Sequence, residues 1–596
     1  MKNKAFLLFA TSIITLCVTG CDQKDNSADL VVYSPIYTAE NENNSEAEAF
    51  AVKNGKFVYV GTKEGAKAYI KEGKTEVIDR TNKGLIIPGC TEGHAHYFDG
   101  VGLNKQLPGS GESYEKVLEI LAKQYSTQGI KQFLSFGWKT VSLSKRRSEG
   151  FNFAKEIESK APGIPVILID DSGHSAVCNE TALRMSGITK ENPIVRGGGV
   201  DIDKDGNPTG YIGDQAVFYV VDKSISDLLT LEQYKNACEY GMNELLRFGY
   251  TNALDAFTNM YDPTGLYEAL KIMDDEGKLK MNIAACYNIK SFDSKIYKTK
   301  IDEVCDIVSK YSSRHCNPKY IKLFADGVVE SGTGWIFGTY KHAAEGKEHG
   351  NIIWEKSELS AITTYANSKD ITIHTHAFGD AACDATIDAY LTSNLLNGTQ
   401  YRNCLGHVRN IKEADIIRAA ENKIPVAANL IWHTDYGPND QDVRNYMIDN
   451  MGESMFFGGY PMKSLVEKGV IVSSSTDAPA AMTMDGNIQD VIEVSTTGIE
   501  PGYEIPPFAS SELLTVREAL QALTINGAWQ LGLENERGSI KVGKYADFVM
   551  IDKDFLNYKG DELGTIHNAK ILKTYFEGKN VFTYKPTSNP DSKFVS

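Results

Sequence analysis

Strand-like runs alternate with helix-like stretches through the middle of the chain, short period-two strands sit at both ends, and chemically active side chains close several of the apolar runs. These observations predict an α/β fold: a (β/α)8 TIM barrel with insertions, plus a small β-sandwich built from both chain ends. A length of 596 residues suits one large barrel and an accessory domain.

The chain opens with Lys2 and Lys4 ahead of an apolar run from Ala5 to Val18. That run is too short to span a bilayer and reads as the h-region of a signal peptide over 1–20. Val18-Thr19-Gly20-Cys21 resembles the lipobox of bacterial lipoproteins, in which the cysteine is acylated and becomes the mature N-terminus. Polar residues then make 21–29 a tether, so the expected location is the cell envelope, with the membrane held through a lipid on Cys21.

From 30 to 88, Leu30-Val31-Val32-Tyr33, Ala51-Val52, Phe57-Val58-Tyr59-Val60 and Val77-Ile78 are strand-like. Asn54-Gly55 and Asn82-Lys83-Gly84 punctuate them as turns, giving the first part of the β-sandwich. Residues 89–535 form the predicted barrel. Its strands include Val166–Ile169, Ile321–Phe324, Ile371–His374 and Val470–Ser473, its helices include 227–247, 356–368 and 379–394, and an insertion is expected at about 97–160. The second part of the sandwich, 536–590, holds Asp547–Ile551, Ile571–Phe576 and Asn580–Phe582. Neither end has enough strands to stand alone, so the two are expected to pair.

Hydrophobic residues at 42% and charged residues at 23% describe a chain that buries a core. The net charge of −16, without a basic cluster, argues against a nucleic-acid partner and leaves a small molecule as the expected substrate. Ten cysteines without a C-x-x-C pair or regular spacing give no disulfide framework.

Five segments place ligand-type side chains at or near predicted strand ends, the catalytic face of a barrel. In His94-Ala95-His96, residues two apart on an extended chain offer two imidazoles to one ion, or make ordinary hydrogen bonds. Lys322 sits inside the apolar run Ile321–Phe324. A buried ammonium there needs a carboxylate partner; alternatively, its neutral amine captures carbon dioxide as a carbamate able to bridge two metals. His374 and His376 share one run, with His376 nearer the mouth and His374 read as a core histidine. His407 lies in Cys404–Arg409, and Asp477 ends the run Val472–Thr476 as a carboxylate for metal or proton.

The order His-x-His, Lys, His, His, Asp resembles that of the amidohydrolase superfamily. Ile86-Ile87-Pro88-Gly89 ahead of His94 is similar to its opening motif, with Glu92 where Asp is usual, and Gly538–Val549 is similar to its closing signature. Lys322–Gly327, His376–Asp380 and Gly173–Asn179 resemble the amidohydrolase family 3 or YtcJ-like branch, which includes N-substituted formamide deformylases. The resemblance implies that His94, His96 and Asp477 hold one divalent metal, zinc being the expected ion. It also implies that His376 and His407 hold a second and that carboxylated Lys322 bridges them, giving one or two ions per chain. A metal-bound hydroxide would attack the carbonyl of an amide, N-formyl, N-acyl or cyclic amide group, Asp477 would shuttle the proton, and His174 would orient the carbonyl oxygen. A deaminase or isomerase on the same scaffold, or a lipid-anchored solute-binding protein, are the competing readings. Gly332 and Asp214 depart from the residues common in the branch, so the substrate pocket is expected to differ while the metal site is kept.

Asp201–Gly206 matches the start of a calcium loop, but its twelfth position is Ile212, and a hairpin turn at Asp205–Pro208 is the better reading. There is no G-x-S-x-G elbow and no Walker A loop to support a serine hydrolase or nucleotide enzyme. The lipobox predicts that Cys21→Ser releases the protein from membranes in cell fractionation and that mass spectrometry finds lipid on the wild type alone. A wild type without lipid, with membrane association unchanged by the substitution, removes this reading.

Overall fold

The computed structural model describes residues 26–40, 45–343, 345–436, 441–479 and 486–586; Cys21 and the expected leader lie outside them. Within the expected tether, Ala28 is already buried, and its N–H donates to Tyr69 O at 2.8 Å.

The first strands are β1 (Leu30–Tyr37), β2 (Glu46–Lys53), β3 (Lys56–Gly61), β4 (Glu76–Asp79) and β5 (Leu85–Pro88). The chain then enters the barrel with β6 (Cys90–Ala95) and leaves it for β7 (Phe133–Trp138), β8 (Val166–Asp170), β9 (Ser175–Cys178), β10 (Gly198–Ile202) and β11 (Pro208–Asp214). It returns through β12 (Tyr250–Asp255), β13 (Asn282–Asn288), β14 (Cys316–Phe324), β15 (Thr372–Ala377), β16 (Cys404–His407), β17 (Val426–Ala428) and β18 (Val472–Ser474). It ends in β19 (Phe548–Ile551), β20 (Ile571–Phe576) and β21 (Lys579–Thr583).

The barrel is the eight-stranded series β6, β12, β13, β14, β15, β16, β17, β18, with every paired neighbour parallel. Covered by helices outside and filled within, its strands are buried on both faces, polar residues of β6, β12 and β15 included. Helix Leu231–Arg247 shows how the sequence builds the outer layer. Thr230 caps it in a reciprocal box with Gln233, and Tyr234, Ala237, Cys238, Gly241, Met242, Leu245 and Leu246 form its buried stripe.

The excursion between the first two barrel strands extends beyond the expected 97–160. A five-stranded sheet, β10-β11-β9-β8-β7, occupies it as far as Asp214. Val166–Ile169, expected in the barrel, is part of β8 in this sheet. A four-residue apolar run looks the same in either sheet, because periodicity carries no topology. The hairpin is present between β10 and β11, but its turn is Asp203–Gly206, two residues ahead of the expected Asp205–Pro208: Gly206 N–H donates to Asp203 O at 2.9 Å, and Pro208 already begins β11.

The chain ends share one eight-stranded sheet. β5 pairs antiparallel with β19, from Phe548 against Pro88 to Ile551 against Leu85. β2 and β19 are separated by β1 and β5, roughly 14 Å in a flat sheet. Yet the rings of Phe50 and Phe548 lie 4.9 Å apart, so the sheet folds over into two facing layers. Ala546 N–H to Gly55 O at 2.8 Å and Phe57 N–H to Lys544 O at 3.0 Å fasten its two arms. Phe548, Val549, Met550 and Ile551 are all buried, each worth about 1.5–3 kcal/mol relative to exposure. Deleting residues from Gly538 onward removes that burial and bares β5 as an edge. The truncated chain is expected to aggregate or lose its cooperative thermal transition; a soluble, monomeric and active product would show that the second arm is dispensable.

Candidate active site

The barrel closes where β6 and β18 end. Asp477 N–H donates to His94 O at 2.9 Å and His96 N–H to Ala478 O at 2.8 Å. Glu92 Oε1 ties the same two segments by accepting from His94 N–H at 3.1 Å and Thr476 N–H at 3.0 Å. Gly93 permits the approach: a Cβ there would meet Ser474 O at 2.7 Å. This seam sets the Asp477 carboxylate against both histidines, with Oδ1 3.1 Å from His94 Nε2 and 3.4 Å from His96 Nε2. One ligand atom from each of the three side chains falls within a 4.8 Å set.

The other candidate side chains converge from neighbouring strands. Lys322 on β14 is fully buried and points its Nζ at His94 Nε2, 3.0 Å away, so its close partner is an imidazole rather than the carboxylate a salt bridge would need. The rings of His376 and His407 lie 4.4 Å apart, and His407 lies 4.5 Å from His94. His407 and Asp477 both adopt left-handed backbone, φ 74° and 58°, a conformation that costs non-glycine residues energy and that clusters at functional sites.

Hydrogen bonds orient each ring. His407 Nδ1 donates to Asn429 Oδ1 at 2.8 Å, leaving Nε2 with its lone pair, while His376 Nε2 donates to Gly327 O at 3.0 Å, leaving Nδ1. His374 is a core histidine with a task, since its Nε2 lies 2.7 Å from His94 Nδ1 and fixes that ring. Asp326 accepts from Trp335, Phe378 and Gly379 N–H at 2.8, 3.0 and 2.8 Å and so anchors the turns after β14 and β15. Sequence reasoning gives no role to Asn429 or Asp326. Asp326 stands within the family-like run Lys322–Gly327, whereas Asn429 follows a run of alanines with nothing to mark it.

The electrostatics suit a cation. Burial holds the imidazoles of His94 and His407 well below their usual pKa and, with Lys322, takes His376 down to about 3, so all three keep a neutral lone pair. At His96 burial is overcome by the Asp99 and Asp477 carboxylates, which push its pKa up to about 10. The structure therefore favours positive charge at the point where His94, His96 and Asp477 meet, and two neutralisable imidazoles with a carboxylate are donors a divalent metal accepts. Burial opposes ionisation of Asp477, but His407, His96 and Lys322 hold its carboxyl well below the ordinary range. Burial lowers the Lys322 amine to about 8, leaving about a tenth of it neutral at pH 7.

The inserted sheet forms the outer wall. Phe136 on β7 and Ser172–His174 between β8 and β9 face a cavity shared with the barrel side chains, along with Phe218, Phe257 and Phe324. His174 Nδ1 lies 3.0 Å from Asp214 Oδ1, and its ring is 6.5 Å from that of His376. Trp432 stacks on His407 at 5.8 Å and 8°.

The family model described as "Amidohydrolase family" matches residues 76–582. The chain belongs to the amidohydrolase family. This amidohydrolase is 24% identical to the N-substituted formamide deformylase of Arthrobacter pascens over 94% of its own length and 99% of that protein. It is also 24% identical to the YtcJ protein of Bacillus subtilis (strain 168), over 92% and 98% of the two chains. Among solved structures, an uncharacterized metal-dependent hydrolase from Pyrococcus horikoshii OT3 superposes with a TM-score of 0.66 at 20% identity, covering 90% of this amidohydrolase and 99% of that chain, which supports the barrel fold. Family membership and the candidate site make it a hydrolase dependent on a divalent metal.

The His174–Asp214 pair yields a pH prediction. Burial lowers the His174 pKa, and Asp214 more than restores it, so the net direction is upward. Asp214→Asn removes that attraction, and the His174 pKa should fall in an NMR titration. An unchanged value would mean that Asp214 does not set the charge of His174.

Proposed function

We propose that this chain hydrolyses a carbon–nitrogen bond in an amide, N-formyl, N-acyl or cyclic amide substrate. The observation that supports the reading best is the convergence of His94, His96, Lys322, His376, His407 and Asp477 at the C-terminal mouth of one parallel barrel. In this reading His94, His96 and Asp477 would hold one divalent ion, zinc being the expected one. His376 and His407 would hold a second, and the carbamate of Lys322 would supply an anionic ligand to the site. The metal, when bound, supplies water activation and polarises the scissile carbonyl.

The chain's own groups do the rest. The neutral Lys322 amine adds to carbon dioxide: an N–C bond forms, one C–O π pair moves onto oxygen, and a proton leaves the nitrogen for solvent. Its low pKa makes the reacting form available. Asp477, ionised and aimed at the point shared by His94 and His96, receives the proton of the attacking water and returns it to the leaving nitrogen. Protonated His174, supported by Asp214, donates to the substrate carbonyl oxygen from the outer wall. The aromatic wall limits water at the mouth.

Zinc-reconstituted protein assayed against N-formyl, N-acyl and cyclic amides, with amino-substituted heterocycles as a parallel panel, tests the reaction class. Amide hydrolysis is expected, and turnover confined to the heterocycles would replace this reading with deamination. Lys322→Ala should lower metal content and turnover together, turnover by about 100-fold, with partial rescue by acetate or propionate. Full metal occupancy with only lost thermal stability would reduce Lys322 to a structural residue.

A further inference from the structure

Lys322 has two neighbours at its own level on the inner barrel wall. On β15 the register partner is His374, which bonds His94. On β13 it is Asn288. Ala284 and Cys286 of β13 face the barrel interior with Leu254, Tyr320 and Leu531. Period-two alternation puts Asn288 on that same inner face, one strand spacing of about 4.8 Å from Lys322.

The Asn288 backbone is pinned. Its N–H donates to Asn259 Oδ1 at 2.7 Å, and its carbonyl accepts from Asn259 Nδ2 at 3.1 Å. Its side chain contrasts with this: the residue is 1% exposed, and among the described residues neither Oδ1 nor Nδ2 has a hydrogen-bond partner. A buried carboxamide unpaired at both atoms is costly, and a leucine of similar shape would avoid that cost. Its position beside Lys322 supplies a reason to keep it.

We propose that Asn288 is a positioning residue that pairs with the carbamate of Lys322. This rests on the carbamate reading above. A carbamate presents an N–H donor and a carboxylate oxygen along one planar edge. The carboxamide presents the complementary edge, Oδ1 accepting from the lysine N–H and Nδ2 donating to the oxygen. The free lysine of this structure turns its Nζ to His94 Nε2 and leaves both atoms unpaired, and an ammonium, having donors only, could at most satisfy Oδ1. Asn288 therefore favours the carboxylated lysine over the free one and holds its plane fixed.

The test is carbon-13 NMR of the zinc-loaded full-length protein titrated with 13C-labelled bicarbonate, comparing wild type with Asn288→Leu and Asn288→Ala. The bicarbonate concentration giving half of the carbamate signal should rise about tenfold or more in both variants. The melting temperature of metal-free Asn288→Leu should stay level or rise, since the substitution removes an unpaired polar group. If the wild type shows a carbamate signal and the variants give it at the same bicarbonate concentration, this inference is overturned and the carbamate stands. If the wild type shows none, the carbamate reading fails and takes the inference with it. Leucine melting well below wild type while alanine leaves the bicarbonate midpoint unmoved would make Asn288 a packing residue and also overturn it.

Discussion

The site depends on the seam that closes the barrel. Two reciprocal backbone hydrogen bonds between the ends of β6 and β18, with the Glu92 carboxylate gripping both, join residues nearly 400 positions apart in the chain. Everything else at the mouth takes its position from that junction. Asp477 there adopts its left-handed conformation and presents Oδ1 to two imidazoles, Lys322 meets His94 at the same Nε2, and His374 holds the ring from Nδ1 on the other side. A single buried carboxyl in place of a longer ladder makes this economical, at the cost of desolvating Glu92, whose pKa burial pushes up to about 8.

Desolvation is the common cause of the site's unusual acid–base state, and it acts in opposite directions on different groups. It strips protons from His94, His376 and His407 and weakens the Lys322 ammonium, while it works against the ionised carboxylates. Charges at short range then decide the exceptions, His96 between two carboxylates and Asp477 among cations. Neutral donors beside one firmly ionised acceptor follow from burial and proximity together; neither alone produces them.

The barrel strands and the candidate ligands are legible in the sequence because each ligand is anomalous in its setting. A lysine inside Ile321–Phe324, or paired histidines inside an apolar run, conflicts with the burial its neighbours imply and so demands a chemical reason. The positioning groups are not legible. Asn429, Asp326 and Asn288 are short polar residues of kinds common at any strand end, and their tasks arise only from what folding sets beside them. The length of the excursion is hidden for a related reason. β8 is as apolar as a barrel strand, and only its pairing with β7 and β9 shows that it serves another sheet.

That second sheet has a consequence for how such a molecule can change. The proposed ligands all stand on barrel strands or the turns that end them, whereas Phe136 and Ser172–His174 hang from a separately cored scaffold, with Trp138, Phe153 and Leu168 in its interior. Reactivity and selectivity thus have different foundations. Mutations can accumulate in one wall of the chamber, altering which molecules enter, while the machinery opposite stays in tolerance. A lineage built this way can diversify its diet without relearning its chemistry.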